Sequence, residues 1–133
     1  MAPCLGPFEP RLVRQRKQRA AKGFADGAFL HAHVAADLAE RLEAIPRDFP
    51  RALALGGGGA FSRALAGSPA RARIGAVIEA DLASGDVISD PEQLPFGNAA
   101  FDLVVSPLAL HSVNDLPGAL IQIRRALKPD GLM

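Results

Sequence analysis

An α/β fold built on an open parallel sheet is predicted by three stretches of this 133-residue sequence. The first, Phe49-Pro-Arg-Ala-Leu-Ala-Leu-Gly-Gly-Gly-Gly-Ala-Phe61, is an apolar run that breaks into four glycines and then a short helical pattern. It reads as strand, tight loop and helix start. The second, Ile74 to Ala80, is a further apolar run that ends in an acid, Asp81. The third, Phe101 to Val105, is nearly continuous apolar sequence of the kind buried on both faces of a parallel sheet, and is expected at the centre of the sheet.

Composition bounds the class. The length suits one domain with a real core. A hydrophobic fraction of 49% with 22% charged residues is that of a globular protein. A formal net charge of +1 predicts no nucleic-acid or other polyanionic partner. The single cysteine, Cys4, allows no internal disulfide and belongs to no metal-binding cluster. No apolar run approaches the roughly 20 residues needed to span a bilayer, and the first residues lack a secretory apolar core. A soluble protein of the cytoplasm, or of the mitochondrion in a eukaryote, is expected.

Residues 1–25 are expected to form a basic tail or helix. Pro3, Pro7 and Pro10 keep the start extended. Arg11 to Lys22 carries six basic residues and no acid at helix-compatible spacing. A transit peptide, a phosphate-contacting arm and a solvated helix all fit this pattern, the last being the usual reading of a charge run. Asp26 is placed to cap a helix from Gly27 to Ile45. Leu30, Val34, Leu38, Leu42 and Ile45 give that helix one apolar face, expected against the sheet. Pro46 ends it. His31 and His33, two residues apart, point to different helix faces and cannot share a metal.

Ala52 to Leu55 is the first strand, and a helix from Phe61 to Ala66 follows the glycines, with Gly67 at its C′ position. Glycine permits positive φ and close approach of backbone to a ligand, and the helix start adds free N–H groups. Asp81 lies 22 residues beyond Gly59, the spacing at which a carboxylate at the end of the second strand can accept the hydroxyls of a ribose. Only Leu82 to Asp86 separate Asp81 from the strand-like Val87 to Ser89, whereas a parallel crossover needs a dozen or more residues. The third strand is therefore expected as a loop or as an antiparallel edge turned through Ser84-Gly85. Asp90-Pro-Glu-Gln-Leu-Pro-Phe96 is a proline-bounded loop with two apolar anchors. Asn114 or Asp115 caps a last helix with Leu116, Leu120, Ile123 and Leu127 as its buried stripe. Lys128-Pro-Asp-Gly131 reads as a tight turn, and Leu132-Met133 as the first step of a fifth strand.

In this order the pieces resemble the class I S-adenosylmethionine-dependent methyltransferases of the type 11 group. The Asp90 to Phe96 loop followed by Phe101-Asp-Leu-Val-Val, and Leu127-Lys-Pro-Asp-Gly131, carry the likeness. Phe8-x-x-Arg-Leu-Val-Arg-x-Arg and His111-x-Val-Asn-Asp-Leu-Pro-Gly-Ala-Leu120 look closer still to the branch holding the mitochondrial complex I assembly factor, with the biotin-synthesis methyltransferase as a cousin. The resemblance covers residues 8–133. It implies an incomplete Rossmann-like methyltransferase sheet with strands 1, 2, 4 and the start of 5, a third strand in doubt, and N-terminal helices. Residues 26–133 would be a truncated copy of that domain.

The resemblance also implies S-adenosylmethionine as cofactor. Gly56 and Gly58 would lie under its methionine and ribose, Asp81 would accept the ribose hydroxyls, Asp90 would stand beside the adenine and Ser106 near the methionine. His111 would face the mouth of the site. No catalytic residue follows from the motifs. Two departures stand out, since the family's first strand carries an acid where this chain has Ala54, and its last loop glycine is Ala60. With the short link after Asp81, they imply cofactor binding that is weak or lost. The branch implies an alternative, an arginine hydroxylase acting on a respiratory-complex subunit, and the departures a third, a non-catalytic remnant.

Overall fold

The computed structural model describes residues 6–133, with the side chain of residue 25 outside the description; Cys4 lies outside the described residues. Among the described residues five strands form one sheet in the order β3-β2-β1-β4-β5, all parallel. They are β1 (Phe49–Leu55), β2 (Ile74–Asp81), β3 (Val87–Ile88), β4 (Phe101–Val105) and β5 (Leu127–Leu132). The chain builds outward from β1 to one edge and then returns to the other side, so the strand order reverses between β1 and β4. Crevices at such reversal points are where open α/β sheets place ligands. β4 is buried throughout, as its apolar run predicts, but the middle position belongs to β1.

The helices are α1 (Pro10–Ala21), α2 (Phe24–Gly27), α3 (Phe29–Glu43), α4 (Ala60–Ala66) and α5 (Leu116–Ala126). Alternation along β1 sorts the core into two layers. Ala52 and Ala54 face Phe61 and Leu65 of α4, while Leu53 and Leu55 face Ile123 and Ala126 of α5. Leu94 and Phe96 join the α5 layer, with the Phe96 ring edge-on to Phe101 at 5.1 Å between centroids. The proline-bounded loop thereby covers sheet that a helix would otherwise cover.

Several expectations are corrected. β3 is a parallel neighbour of β2, neither loop nor antiparallel edge. The crossover rule assumes strands of ordinary length, whereas β3 pairs only Val87 with Ala80 and Ile88 with Asp81. The chain must therefore retreat one register step, about 3.3 Å, and five residues suffice. Gly85 makes the reversal at φ +95, where a Cβ would stand 2.6 Å from the Glu79 carbonyl oxygen. Asp86 then returns a backbone bond to Glu79 O and accepts from Glu79 N, both across short distances of 2.8 and 2.9 Å.

Asp26 does not cap the long helix. It lies inside α2, and α3 starts after Ala28 with no side-chain cap. α3 packs chiefly on α4, but Leu42, with Leu38 and Ile45 beside it, joins the core that holds Phe49, Ala52 and Leu103 of the sheet. Its buried residues are Ala35, Ala39 and Leu42, while Leu30 is exposed. Alanines let two helices approach closely, so Ala35 and Ala39 share the buried face with Leu42. α5 behaves alike: Asp115 caps it, accepting from Gly118 N at 2.9 Å, and Ala119, Ile123 and Ala126 are its buried face, leaving Leu116 and Leu120 exposed. β5 begins at Leu127, and Lys128 to Gly131 bulge out within it, since Phe101 pairs with Leu127 and Leu103 with Leu132. The motif read as a turn is thus a strand irregularity.

Candidate functional site

At the carboxyl ends of β1, β2 and β4 lies a cleft of about 320 Å³ lined by residues that include Gly57, Gly58, Asp81, His31 and His111. Its size is at the lower end of ordinary small-ligand sites. A second, constricted space of about 30 Å³ adjoins it and holds Gly56, Asp81 and Asp90. Lys17 and Asp81 line both. Their ion pair, 2.6 Å from Nζ to Oδ1, stands at the division.

The glycine loop is shaped by the strand reversal. Gly56 has φ +73, and a Cβ there would stand 2.4 Å from the Cβ of Ala109, which follows β4. The Gly56 amide donates to Ala80 O at 2.8 Å, tying the loop to β2. Gly58 meets the Phe24 ring where a Cβ would be, 2.3 Å from Cε1. Ala60, by contrast, has φ −60 and is buried in α4. Any L-residue adopts that backbone, so the glycine missing at Ala60 costs the loop nothing in conformation.

Four of the five expected residues come together: Gly56, Asp81 and Asp90 line the narrow part, and Gly58 and Asp81 the wide part. Asp90 Oδ1 accepts from Glu92 N at 2.9 Å. Glu92 in turn accepts from the backbone amides of Asn114 and Asp115, clasping the loop after β3 to the segment before α5. Ser106 stands apart. Its hydroxyl donates to Leu55 O at 3.2 Å, and it lines neither space. It ties the end of β4 to the end of β1.

Three cleft residues escaped the sequence reading: Lys17, Phe24 and His31. Pro10, Val13, Lys17, Ala20, Ala21 and Phe24 all face the two spaces, an interval pattern of three or four that marks one helical face. That stripe is legible in the sequence, though five further cations of the same segment surround it. His31, packed edge-on to Phe24 at 4.9 Å between centroids, is held below the ordinary imidazole range by burial and then by the nearby Lys17 and His111, with Asp81 pulling the other way. Among the described residues no three His, Cys, Asp or Glu side chains are grouped to hold a metal ion. No helix among them is long and apolar enough to cross a membrane.

This fold, with a glycine loop under a cleft at the strand reversal and acids at the ends of the next strands, is that of a class I methyltransferase. Residues 53–133 match the family model described as Methyltransferase domain, and the chain belongs to that family, the S-adenosylmethionine-dependent methyltransferases. It is 40% identical over 143 residues to the Homo sapiens "Arginine-hydroxylase NDUFAF5, mitochondrial", covering 96% of this chain and 41% of that protein. It is 32% identical over 149 residues to a malonyl-[acyl-carrier protein] O-methyltransferase of Gallionella capsiferriformans, covering 95% of this chain and 50% of that one. The chain thus spans two-fifths to one-half the length of these relatives. A Haloferax volcanii methyltransferase solved with its Trm112 activator superposes with a TM-score of 0.67 at 28% identity, over 90% of this chain and 57% of that chain.

The donor set fits the family's cofactor in its chemistry: carboxylates for hydroxyl and amino donors stand beside a loop without side chains. In space the fit is partial. The wide part is open, while the part beside Asp90, walled by Phe8, Pro10 and Val13, holds only about 30 Å³.

Proposed function

We propose that the cleft is a weakened S-adenosylmethionine site and that the protein is, by descent and chemistry, a methyltransferase. The convergence of Gly56, Gly58, Asp81 and Asp90 on one cleft at the strand reversal carries this reading. In it, Asp81 accepts the ribose hydroxyls, Asp90 stands beside the adenine, the glycines let the loop backbone approach the cofactor closely, and Ser106 acts by tying the end of β4 to the end of β1 ahead of the loop. The cofactor brings an activated methyl group, so what this chain supplies is alignment. Two features weaken binding. Ala54 removes the first strand's acid, and Lys17 occupies Asp81. Calorimetric titration tests the reading: an affinity of about 100 μM or weaker is expected, corresponding to less than about 5.5 kcal/mol of binding, and low-micromolar binding contradicts the weakening.

The relative named as an arginine hydroxylase supports a second reading, hydroxylation of an arginine in a protein partner such as a respiratory-complex subunit, and with it a mitochondrial-type setting. Mass spectrometry of candidate partners separates the two, since added methyl and added oxygen differ in mass. A protein that binds no cofactor and modifies no partner is the non-catalytic remnant.

A further inference from the structure

We propose that residues 8–24, α1 with its two flanks, are a strap across the cleft and that Lys17, by holding the Asp81 carboxylate, gates entry of the nucleoside. The inference rests on reading the cleft as an S-adenosylmethionine site. Three contacts fix the strap along the cleft in sequence order. At its start, Phe8 N donates to Asn114 Oδ1 at 2.9 Å and Asn114 Nδ2 donates to Phe8 O at 2.8 Å, an amide pairing that ties the strap to the segment clasped by Glu92 beside Asp90. In the middle, Lys17 reaches Asp81. At the far end, the Phe24 ring lies on Gly58.

The chemistry of the middle contact is competitive. Asp81 Oδ1 already accepts from Leu82 N and from Lys17 Nζ, each at 2.6 Å, which leaves that oxygen no place for a ribose hydroxyl. The Asp81 side chain is 12% exposed and that of Lys17 32%. The pair is thus partly shielded from water, unlike exposed ion pairs, which contribute little. Lys17 is also the one charged residue on a stripe otherwise made of proline, valine, alanine and phenylalanine. A ribose that pairs its two hydroxyls with the two Asp81 oxygens must displace Lys17 from Oδ1, and its apparent affinity is scaled down by the fraction of molecules in which the strap is open.

Lys17→Gln removes the charge, and Lys17→Arg keeps it. Both are to be titrated with S-adenosylmethionine, with far-UV circular dichroism confirming the fold. In parallel, amide hydrogen exchange of residues 13–21 is to be compared between the wild type and Asp81→Asn with no ligand present. The strap predicts about tenfold tighter binding for Lys17→Gln, near-wild-type binding for Lys17→Arg, and faster exchange of residues 13–21 in Asp81→Asn. Unchanged exchange in Asp81→Asn, or Lys17→Gln binding no tighter than a wild type that binds, overturns it. Faster exchange with no binding by wild type or Lys17→Gln sinks the cofactor reading and supports the strap.

Discussion

Ala54 of β1 stands in register with Glu79 of β2, and the Glu79 carboxylate accepts the Ser62 hydroxyl of α4 at 2.5 Å. Paired residues of neighbouring strands point to the same side of a sheet, so the α4 face under the glycine loop does carry a carboxylate, one strand away from where the family has it. Reinstating the acid at Ala54, which is wholly buried, would put two carboxylates side by side. Ala54→Asp is expected to destabilise the fold by about 2–4 kcal/mol, the cost of an uncompensated buried charge. The double variant Ala54→Asp with Glu79→Gln should recover part of that loss, because the amide can donate to the new acid. Urea unfolding measures both, and strictly additive effects would show that the two positions do not communicate.

Glu79 also makes stability depend on pH. Burial raises its pKa above the ordinary carboxylate value of 4.5, the Ser62 hydrogen bonds oppose this, Asp86 adds to it and Arg63 opposes it. The net shift is upward, so between 4.5 and the raised value the folded protein holds more proton than the unfolded chain. Stability from this group therefore falls as pH rises through that window. Glu79→Gln should remove this fall, seen as a flatter profile of melting temperature against pH just above 4.5 than in the wild type.

Asp102 has the opposite sign. Burial alone would raise its pKa, but Lys128 Nζ at 3.0 Å and the Arg51 amide at 2.9 Å outweigh it and hold it below 3.8. Its contribution is present above that value and is lost as pH falls through the depressed one. Asp102→Asn should cost about 1–3 kcal/mol at neutral pH, with the difference from wild type shrinking in strong acid. Parallel acid-unfolding curves would contradict the assignment.

The glycine loop admits no Cβ at its first position. Gly56→Ala sets a side chain at positive φ and 2.4 Å from Ala109 Cβ, which should destabilise the protein by about 2 kcal/mol or more. Ala60→Gly, at an ordinary helical φ, should instead cost about 1 kcal/mol of helix propensity and restore no affinity. Thermal melts of the two variants distinguish a loop shaped by its glycines from one that tolerates side chains.

What the sequence made legible follows the range of the interactions. β1, the glycines, β2 and β4 declared themselves because each is a local apolar run with a local stop. β3 and β5 were misjudged where a rule met an exception of scale, a two-residue strand and a bulged one. The apolar stripes of α3 and α5 are half right: Leu42 and Ile123 are buried as their spacing predicts, but Leu30, Leu116 and Leu120 are exposed, because the small Ala35, Ala39, Ala119 and Ala126 allow close approach beside them. Of the four cleft residues that converge, the glycines and Asp81 are legible from local pattern and spacing and Asp90 from motif resemblance, whereas Ser106 lies outside the lining and bonds the end of β1. The apolar stripe of α1 singles out Lys17 among the six basic residues of its segment, but its partner Asp81 lies 64 positions away and no local pattern names it.

The most direct measurement is a pair of calorimetric titrations of S-adenosylmethionine, into the wild type and into Asp81→Ala. Saturable one-to-one binding at about 100 μM or weaker in the wild type, abolished in Asp81→Ala, is the result predicted for a weakened cofactor site centred on that carboxylate. Binding of equal strength in both proteins would contradict it.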